Sequence, residues 1–318
     1  MPVLNRIFSR FAEQTPDEEV MPQEFREDPR SLRAPGATSG LRTRAGFFET
    51  CANPHCRSGW MHLLRGRSAP VFEGGWNCSS ECTRMRLQAA VRREMDGRGI
   101  SQDVHRHRVP LGLMMLERGW INAAQLKIAL EAQREAGAGR IGHWLVRRAG
   151  VSEQLVTRAL GLQWSCPVLP LEYHDAEALA IILPRLFVDA FGALPLRVAA
   201  GKLLYLGFED RLDPVLALAI GRMSGLRVES GLVQDALFRP AHERMLKARF
   251  PSVELIEATS EPAIVHVLTR AMEKHRPAEA RLVRVHDCLW LRLWKRNPTG
   301  PLPDPGDVLD LICSIGSH

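Results

Sequence analysis

Apolar residues recur along the chain with two different periods, and the change of period divides it. From Arg84 to Met95 the residues Met85, Leu87, Ala90, Val91 and Met95 fall at helical spacing, and Gly97-Arg98-Gly99 closes the run. Helical spacing then holds to about Gln163. Beyond Pro167 the pattern becomes short and alternating: Leu194–Val198 and Leu203–Phe208 flank Gly201-Lys202 and predict a β-hairpin. Asp213-Pro214 is a helix cap followed by proline at the first helical position, opening a helix to about Met223. Leu226–Val228 predicts a strand and Gln234–Phe250 a helix. After Pro251, Thr259, Ser260, Glu261 and Pro262 open a helix carrying Ile264, Val265, Val267, Leu268 and Met272. Leu282–Val285 and Leu289–Leu293 then alternate around His286-Asp287-Cys288 as a second hairpin. That tripeptide reads as a turn, because adjacent residues cannot converge as a catalytic triad. From Asn297 the chain is rich in Pro and Gly, and 297–318 reads as a loose tail. At the other end Leu4, Ile7, Phe8 and Phe11 form a short amphipathic helix pattern before a Pro/Gly/Ser-rich leader, so 1–48 reads as mostly disordered.

Within the helical region, residues 110–133 and 140–163 are two copies of one pattern. The first is Pro110-Leu111-Gly112-x2-Met115-x3-Gly119-x6-Leu126-x3-Leu130-x2-Gln133. The second is Arg140-Ile141-Gly142-x2-Leu145-x3-Ala149-x6-Val156-x3-Leu160-x2-Gln163. Each unit predicts a helix, a glycine-containing turn and a second helix. The pair resembles the GspE N-terminal (MshEN) domain of type II secretion and type IV pilus assembly ATPases, which repeats Arg-Leu-Gly-x2-Leu-x3-Gly-x6-Leu-x3-Leu-x2-Gln twice. The resemblance covers 104–250, taking in Leu194-Pro195-Leu196, Gly201-Lys202-Leu203-Leu204 and Asp210-Arg211-Leu212-Asp213-Pro214. It implies a tandem helical-hairpin repeat joined to an α+β subdomain with a β-hairpin, and a candidate ligand, cyclic di-GMP. On that reading Arg140 beside Gly142 offers a guanidinium and the positive end of a helix to a phosphate. Gln133 and Gln163 would reach base or phosphate edges, and Leu111, Met115, Ile141 and Leu145 would form an apolar floor beside Gly112. The first copy departs where it matters most: Pro110 replaces the leading arginine and brings neither charge nor N–H.

The family's phosphate-binding loop has no counterpart, since no G-x4-G-K-[S/T] occurs and the one Gly-Lys, Gly201-Lys202, is followed by Leu203. The segment 256–296 resembles the start of the linker that leads into the ATPase motor. The expectation is a non-catalytic regulatory or adaptor protein that docks on a protein partner of a secretion or pilus machine.

Cysteine usage adds a second element. Of the seven cysteines, Cys51-x4-Cys56 and Cys78-x3-Cys82 are close pairs twenty-one residues apart, the arrangement in which two knuckles close a tetrahedral zinc site. Four thiolates leave no open position for a catalytic water, so a structural zinc finger is predicted over 49–96, with His55 or His62 as the alternative ligand to one of the cysteines. An odd cysteine count and the lack of a signal-peptide run favour a reducing compartment. The predicted location is cytoplasmic, peripheral to the inner membrane through a partner, because the most apolar stretch, Ala176–Leu196, is broken by charges and prolines.

With 318 residues, 45% of them hydrophobic, the chain is long enough for about two globular domains. The net charge of +6 is uneven, with ten arginines against six acids in residues 49–109. Arg57, Arg65, Arg67, Arg84, Arg86, Arg92 and Arg93 therefore support a second reading, a zinc-finger nucleic-acid-binding or transcription-associated protein with the tandem domain as its regulatory half. Aromatics at 6% leave little for base-stacking platforms. The overall class predicted is α+β.

Overall fold

The computed structural model describes residues 50–58, 70–96, 109–171, 174–209, 211–258, 260–297 and 302–315. The leader, the amphipathic pattern at 4–11 and the Gly97–Gly99 linker lie outside them.

Two short strands, β1 (Val71–Phe72) and β2 (Gly75–Trp76), pair antiparallel and lead into helix α1 (Ser80–Asp96). Their turn, Glu73-Gly74, has positive φ at both residues (47° and 71°), the geometry whose twist suits a two-residue hairpin. The tandem repeat follows as α2 (Leu111–Glu117), α3 (Ala123–Ala136), α4 (Ile141–Ala149) and α5 (Glu153–Trp164). Asn122 and Gln125 cap α3 reciprocally, and the Ser152 side chain caps α5, so each repeat begins its second helix on a side-chain cap. Next come α6 (Ala176–Leu179), α7 (Arg185–Phe191), β3 (Ala193–Ala199), β4 (Leu203–Phe208), α8 (Pro214–Ser224), β5 (Arg227–Leu232) and α9 (Asp235–Lys247). β3 and β4 are the predicted hairpin, and β5 joins β4 in parallel after the α8 crossover. Asp213 accepts the Leu216 N–H and caps α8 as its sequence position predicts.

The last part is a four-stranded sheet with one helix: β6 (Ser252–Ile256), α10 (Glu261–His275), β7 (Glu279–Val285), β8 (Cys288–Trp294) and β9 (Val308–Ser314), in the order β6-β9-β8-β7. Here the structure corrects the sequence reading twice. Residues 297–318 do not form a loose tail throughout, because Val308–Ser314 is an inner strand, parallel to β6 and antiparallel to β8. Nor are 49–96 and 256–296 separate units. Phe72, Leu87, Ala90 and Val91 share one core with Ile264, Val265, Leu268 and Met272 of α10 and with Leu289, Leu291 and Leu293 of β8. The Glu73 N–H donates to the Ala280 carbonyl (2.7 Å) and the Val71 N–H to that of Pro277 (3.2 Å), so the cysteine-bearing hairpin docks on the outer edge of β7.

β8 is buried on both faces. Its odd-numbered residues meet α1 and α10. Cys288, Trp290 and Trp294 join the core of the β3–β5 subdomain, along with Phe187, Leu206 and Ile220. On that second face Arg292 is 2% exposed and Asp310 fully buried. Arg292 Nε donates to Asp310 Oδ1 (2.7 Å) and Nη2 to Oδ2 (2.8 Å), Nη1 donates to the Ile181 and Ile182 carbonyls (2.7 and 3.0 Å), and Trp290 Nε1 donates to Asp310 Oδ1 (2.7 Å). A buried ion pair survives only when its remaining polar atoms are met, and here they are.

Glu94 makes the equivalent tie for α1. It is 5% exposed and accepts from Arg222 of α8 (2.5 and 3.0 Å), Arg93 (3.0 Å) and the Arg284 N–H of β7 (3.1 Å). Burial alone would raise its pKa, but the Arg222 and Arg93 guanidiniums outweigh burial and hold the carboxyl below the ordinary range. A depressed carboxylate pKa contributes stability that is present at neutral pH and lost as pH falls through the folded-state value. Glu94→Gln should therefore destabilise the protein by about 3 kcal/mol at pH 7, and the gap to wild type should shrink as pH falls below the normal carboxylate range. Urea unfolding at pH 7 and at pH 3 checks both.

Candidate functional site

The four predicted cysteines converge. Cys51 and Cys56 precede the β1–β2 hairpin, Cys78 follows it, and Cys82 sits in the first turn of α1. Their sulfurs all lie within 4.8 Å of one another. Cys56 to Cys78 is 3.5 Å and Cys78 to Cys82 is 3.6 Å. Tetrahedral coordination with bonds of about 2.3 Å sets sulfurs about 3.8 Å apart, so the set fits a metal ion of that geometry. The sequence builds the knuckles locally. The Cys78 N–H donates to Cys51 Sγ (3.5 Å), and the Cys82 N–H is held by Ser79 Oγ (3.2 Å). At Gly75 a β-carbon would lie 2.4 Å from Ala52 Cβ and 2.7 Å from Arg86 Nη1, so only glycine allows the two knuckles to close.

Electrostatics make the four thiols unequal. Burial pushes Cys51 up to about 12 and raises Cys78. Burial also raises Cys56, but hydrogen bonds from the Ser58 backbone and hydroxyl, together with the neighbouring thiols, outweigh it and bring Cys56 down to about 6. Cys56 is thus the thiolate present first. A divalent ion that accepts all four must drive protons off the others. His55 is exposed and is not part of the four-sulfur set, and His62 lies outside the described residues.

The arginines of α1 near this centre are ion-paired or hydrogen-bonded at the surface. Arg84 pairs with Glu81 (2.6 Å), Arg92 with Glu261 of α10 (2.7 Å), and Arg93 with Glu73 (2.6 Å) and Glu94 (3.0 Å). Arg86 donates to the Gly75 carbonyl (2.9 Å) and stacks over Phe72 (5.4 Å). Arg86, Arg92 and Arg93 fasten α1 to its surroundings, while the Arg84 pair with Glu81 lies within α1 itself. Arg57 is exposed, and Arg65 and Arg67 lie outside the described residues.

In the tandem repeat the motif positions divide into packing and entrance roles. Leu111, Met115 and Leu145 are 6%, 0% and 0% exposed and form the repeat's own core, with Ile141 packed against it. They hold the helices together, so they do not line an open floor. A β-carbon on Gly112 would meet Leu126 Cδ1 at 2.6 Å, and one on Gly142 would meet Val156 Cγ1 at 2.9 Å. The two motif glycines therefore permit the same close helix crossing in each copy. The two glutamines are also equivalent. Gln133 Nε2 donates to the Gly139 carbonyl, just before Arg140, and Gln163 Nε2 donates to the Val109 carbonyl, just before Pro110, each at 2.7 Å. Each repeat thus ends by bracing the entrance of the other, a pseudo-twofold exchange. The site-facing donors predicted for these glutamines are spent on the backbone.

Pro110 and Arg140 occupy the matching helix-entrance positions, at φ −53° and −91°. The first turns of the two helices come close: a β-carbon on Gly142 would lie 3.5 Å from Leu111 Cδ2. Burial lowers the Arg140 pKa, while Glu209, close enough to act on it electrostatically, raises it and Arg211 lowers it again. Glu209 also binds Arg239 of α9 (2.9 Å), and Glu153 of α5 accepts the Ala236 N–H at the start of α9 (2.6 Å). Sequence spacing did not single out Glu209, Arg211 or Arg239, because they enter from the α+β subdomain. No described helix is long and apolar enough to cross a membrane.

No family profile and no curated protein matches the chain. Among solved structures it is similar to MshE with cyclic di-GMP, at 26% identity over 43% of this chain and 99% of that one, with a TM-score of 0.35. The N-terminal domain of XpsE is similar at 21% identity, over 42% of this chain and 92% of that one, with a TM-score of 0.31. A second crystal form of the same domain is 22% identical over 41% and 90%, with a TM-score of 0.24.

Proposed function

We propose that this protein is a non-catalytic regulatory or adaptor protein related to the secretion and pilus assembly ATPases, whose tandem repeat senses cyclic di-GMP and docks on a protein partner. The observation that carries the reading is the pseudo-twofold exchange of the two motifs. Pro110 and Arg140 stand at the equivalent helix entrances, and a cyclic dinucleotide is itself twofold symmetric, so its two halves would match the two entrances. Arg140 is the one motif arginine, placed where a helix start also offers backbone N–H groups to a phosphate. A cytoplasmic site of action, where such a ligand is found, agrees with the reduced cysteine cluster. The absence of a phosphate-binding loop supports the non-catalytic assignment, and no ATP turnover above background should track the purified protein.

The four-cysteine centre is proposed to hold one structural zinc. Bound there, the ion supplies charge neutralisation and a cross-link between the two knuckles and the start of α1. Elemental analysis should find one zinc per chain, and a metal-free preparation with normal unfolding behaviour would refute the assignment. Cys78→Ser should lose the metal. Because α1 shares its core with α10 and β8, amide-exchange protection should fall in α1 and β7 as well as in the hairpin, while Leu111–Trp164 keeps its protection.

For the dinucleotide, calorimetric titration should give binding to wild type that weakens roughly tenfold to a hundredfold in Arg140→Ala, as expected for one charged hydrogen bond of about 1.5–3 kcal/mol. Pro110→Arg should strengthen binding by a similar factor, since it restores the second cation at the equivalent entrance. Absence of heat with millimolar ligand in both wild type and Pro110→Arg would show that the repeats act as a scaffold.

A further inference from the structure

Helices α2 and α5 lie side by side and antiparallel. Gln163, at the end of α5, reaches Val109 at the start of α2 (2.7 Å), while Arg158, five residues earlier, lies over the Trp120 indole just beyond the end of α2 (5.1 Å). The outward side of this pair has two zones. Near the Gln163 tie, Val109, Leu113 and Leu162 are 54%, 53% and 44% exposed. On α5 Arg158 and Leu162 are four residues apart and share a face, whereas on α2 Leu113 shares its face with Glu117 and Val109 precedes the helix. Near the Trp120 tie, two exposed guanidiniums share one ring, Arg118 at 5.6 Å and Arg158 at 5.1 Å.

The repeat does not require this surface. None of the six residues is a defined motif position, and in the other copy Val109, Leu113, Trp120, Arg158 and Leu162 are matched by Gly139, His143, Gly150, Ile128 and Ala132, with only Arg118 matched by another arginine, Arg148. The patch therefore occurs on one side of a pseudosymmetric unit, which points to a use beyond folding. Its chemistry is graded from aliphatic side chains through an indole to cations. Tryptophan takes the headgroup level of a bilayer, aliphatic tips enter the acyl boundary, and arginine meets lipid phosphate. Two cations held at one indole also repel each other, and an anionic surface relieves that repulsion.

We propose that the α2–α5 face docks the protein directly on an anionic phospholipid surface, with Val109, Leu113 and Leu162 entering the boundary and Arg118 and Arg158 contacting phosphates. Glu117, exposed beside Arg118, opposes this contact and tempers it. The proposal is independent of dinucleotide binding.

Sedimentation of the full chain with vesicles tests it. Wild type should bind vesicles containing phosphatidylglycerol and not pure phosphatidylcholine. Arg118→Ala and Arg158→Ala should each weaken binding about fivefold, the factor that corresponds to about 1 kcal/mol per basic residue near such a surface, and the double variant about twenty-five-fold. Leu162→Ser should weaken it severalfold, and Glu117→Gln should strengthen it. Arg147→Ala with Arg148→Ala, both exposed at the end of α4, should change it less than twofold. All these positions are exposed or half-buried, and circular dichroism confirms folding. No binding to the anionic vesicles, equal binding to both vesicle types, or full retention of binding in the Arg118/Arg158 double variant overturns the proposal, the last placing any contact on another part of the chain.

Discussion

Strand β8 has no face that meets water, and the rest of the molecule is arranged to satisfy that constraint. Seven consecutive buried positions, Cys288–Trp294, need partners on both sides of the sheet. Leu289, Leu291 and Leu293 are covered by α1 and α10, and Cys288, Trp290 and Trp294 by the β3–β5 subdomain. Arg292 falls on the second face, where an unpaired charge would cost several kcal/mol. Asp310 meets it from β9, and the Ile181 and Ile182 carbonyls meet it from the subdomain. The ion pair therefore gives the contact between sheet and subdomain a specific register that the apolar side chains alone would not impose.

The same constraint explains why the cysteine centre is not an independent finger. A stretch as short as 50–96 has little apolar surface of its own to bury, and what it has, Phe72, Leu87, Ala90 and Val91, is spent on the outer face of the sheet. Its hairpin also occupies the hydrogen-bonding edge of β7, which would otherwise be exposed for pairing with another chain. The four-cysteine centre thus fixes the start of α1, Glu94 fixes its end, and the helix between them completes a core that belongs to the carboxyl-terminal strands. Three of its arginines, Arg86, Arg92 and Arg93, hold α1 against neighbouring elements.

The tandem repeat solves its packing problem differently. Its two helical hairpins bury their apolar faces against each other and brace each other's entrances through Gln133 and Gln163. Most motif positions are accounted for by that packing. What distinguishes the copies is what stands at the entrances, Pro110 against Arg140, and what each copy shows to solvent. The shared motif positions supply the frame, and the two copies differ in the side chains they carry on it.

The sequence by itself determined the local structure. The helix caps at Asn122, Ser152 and Asp213, the two hairpins, the tandem period and the convergence of Cys51, Cys56, Cys78 and Cys82 all depend on residues near one another in the chain, where spacing and side-chain chemistry act directly. Tertiary structure decided the rest. Val308–Ser314 follows a Pro/Gly-rich segment and gives no local sign that it will lie between β6 and β8, because strand order is set by pairing over long sequence separation. Glu209 and Arg211 near Arg140, Glu94 between Arg222 and Arg284, and the diversion of Gln133 and Gln163 to backbone carbonyls arise in the same way. A charged or amide side chain has several candidate partners in sequence, and only the folded geometry brings one of them within hydrogen-bonding distance.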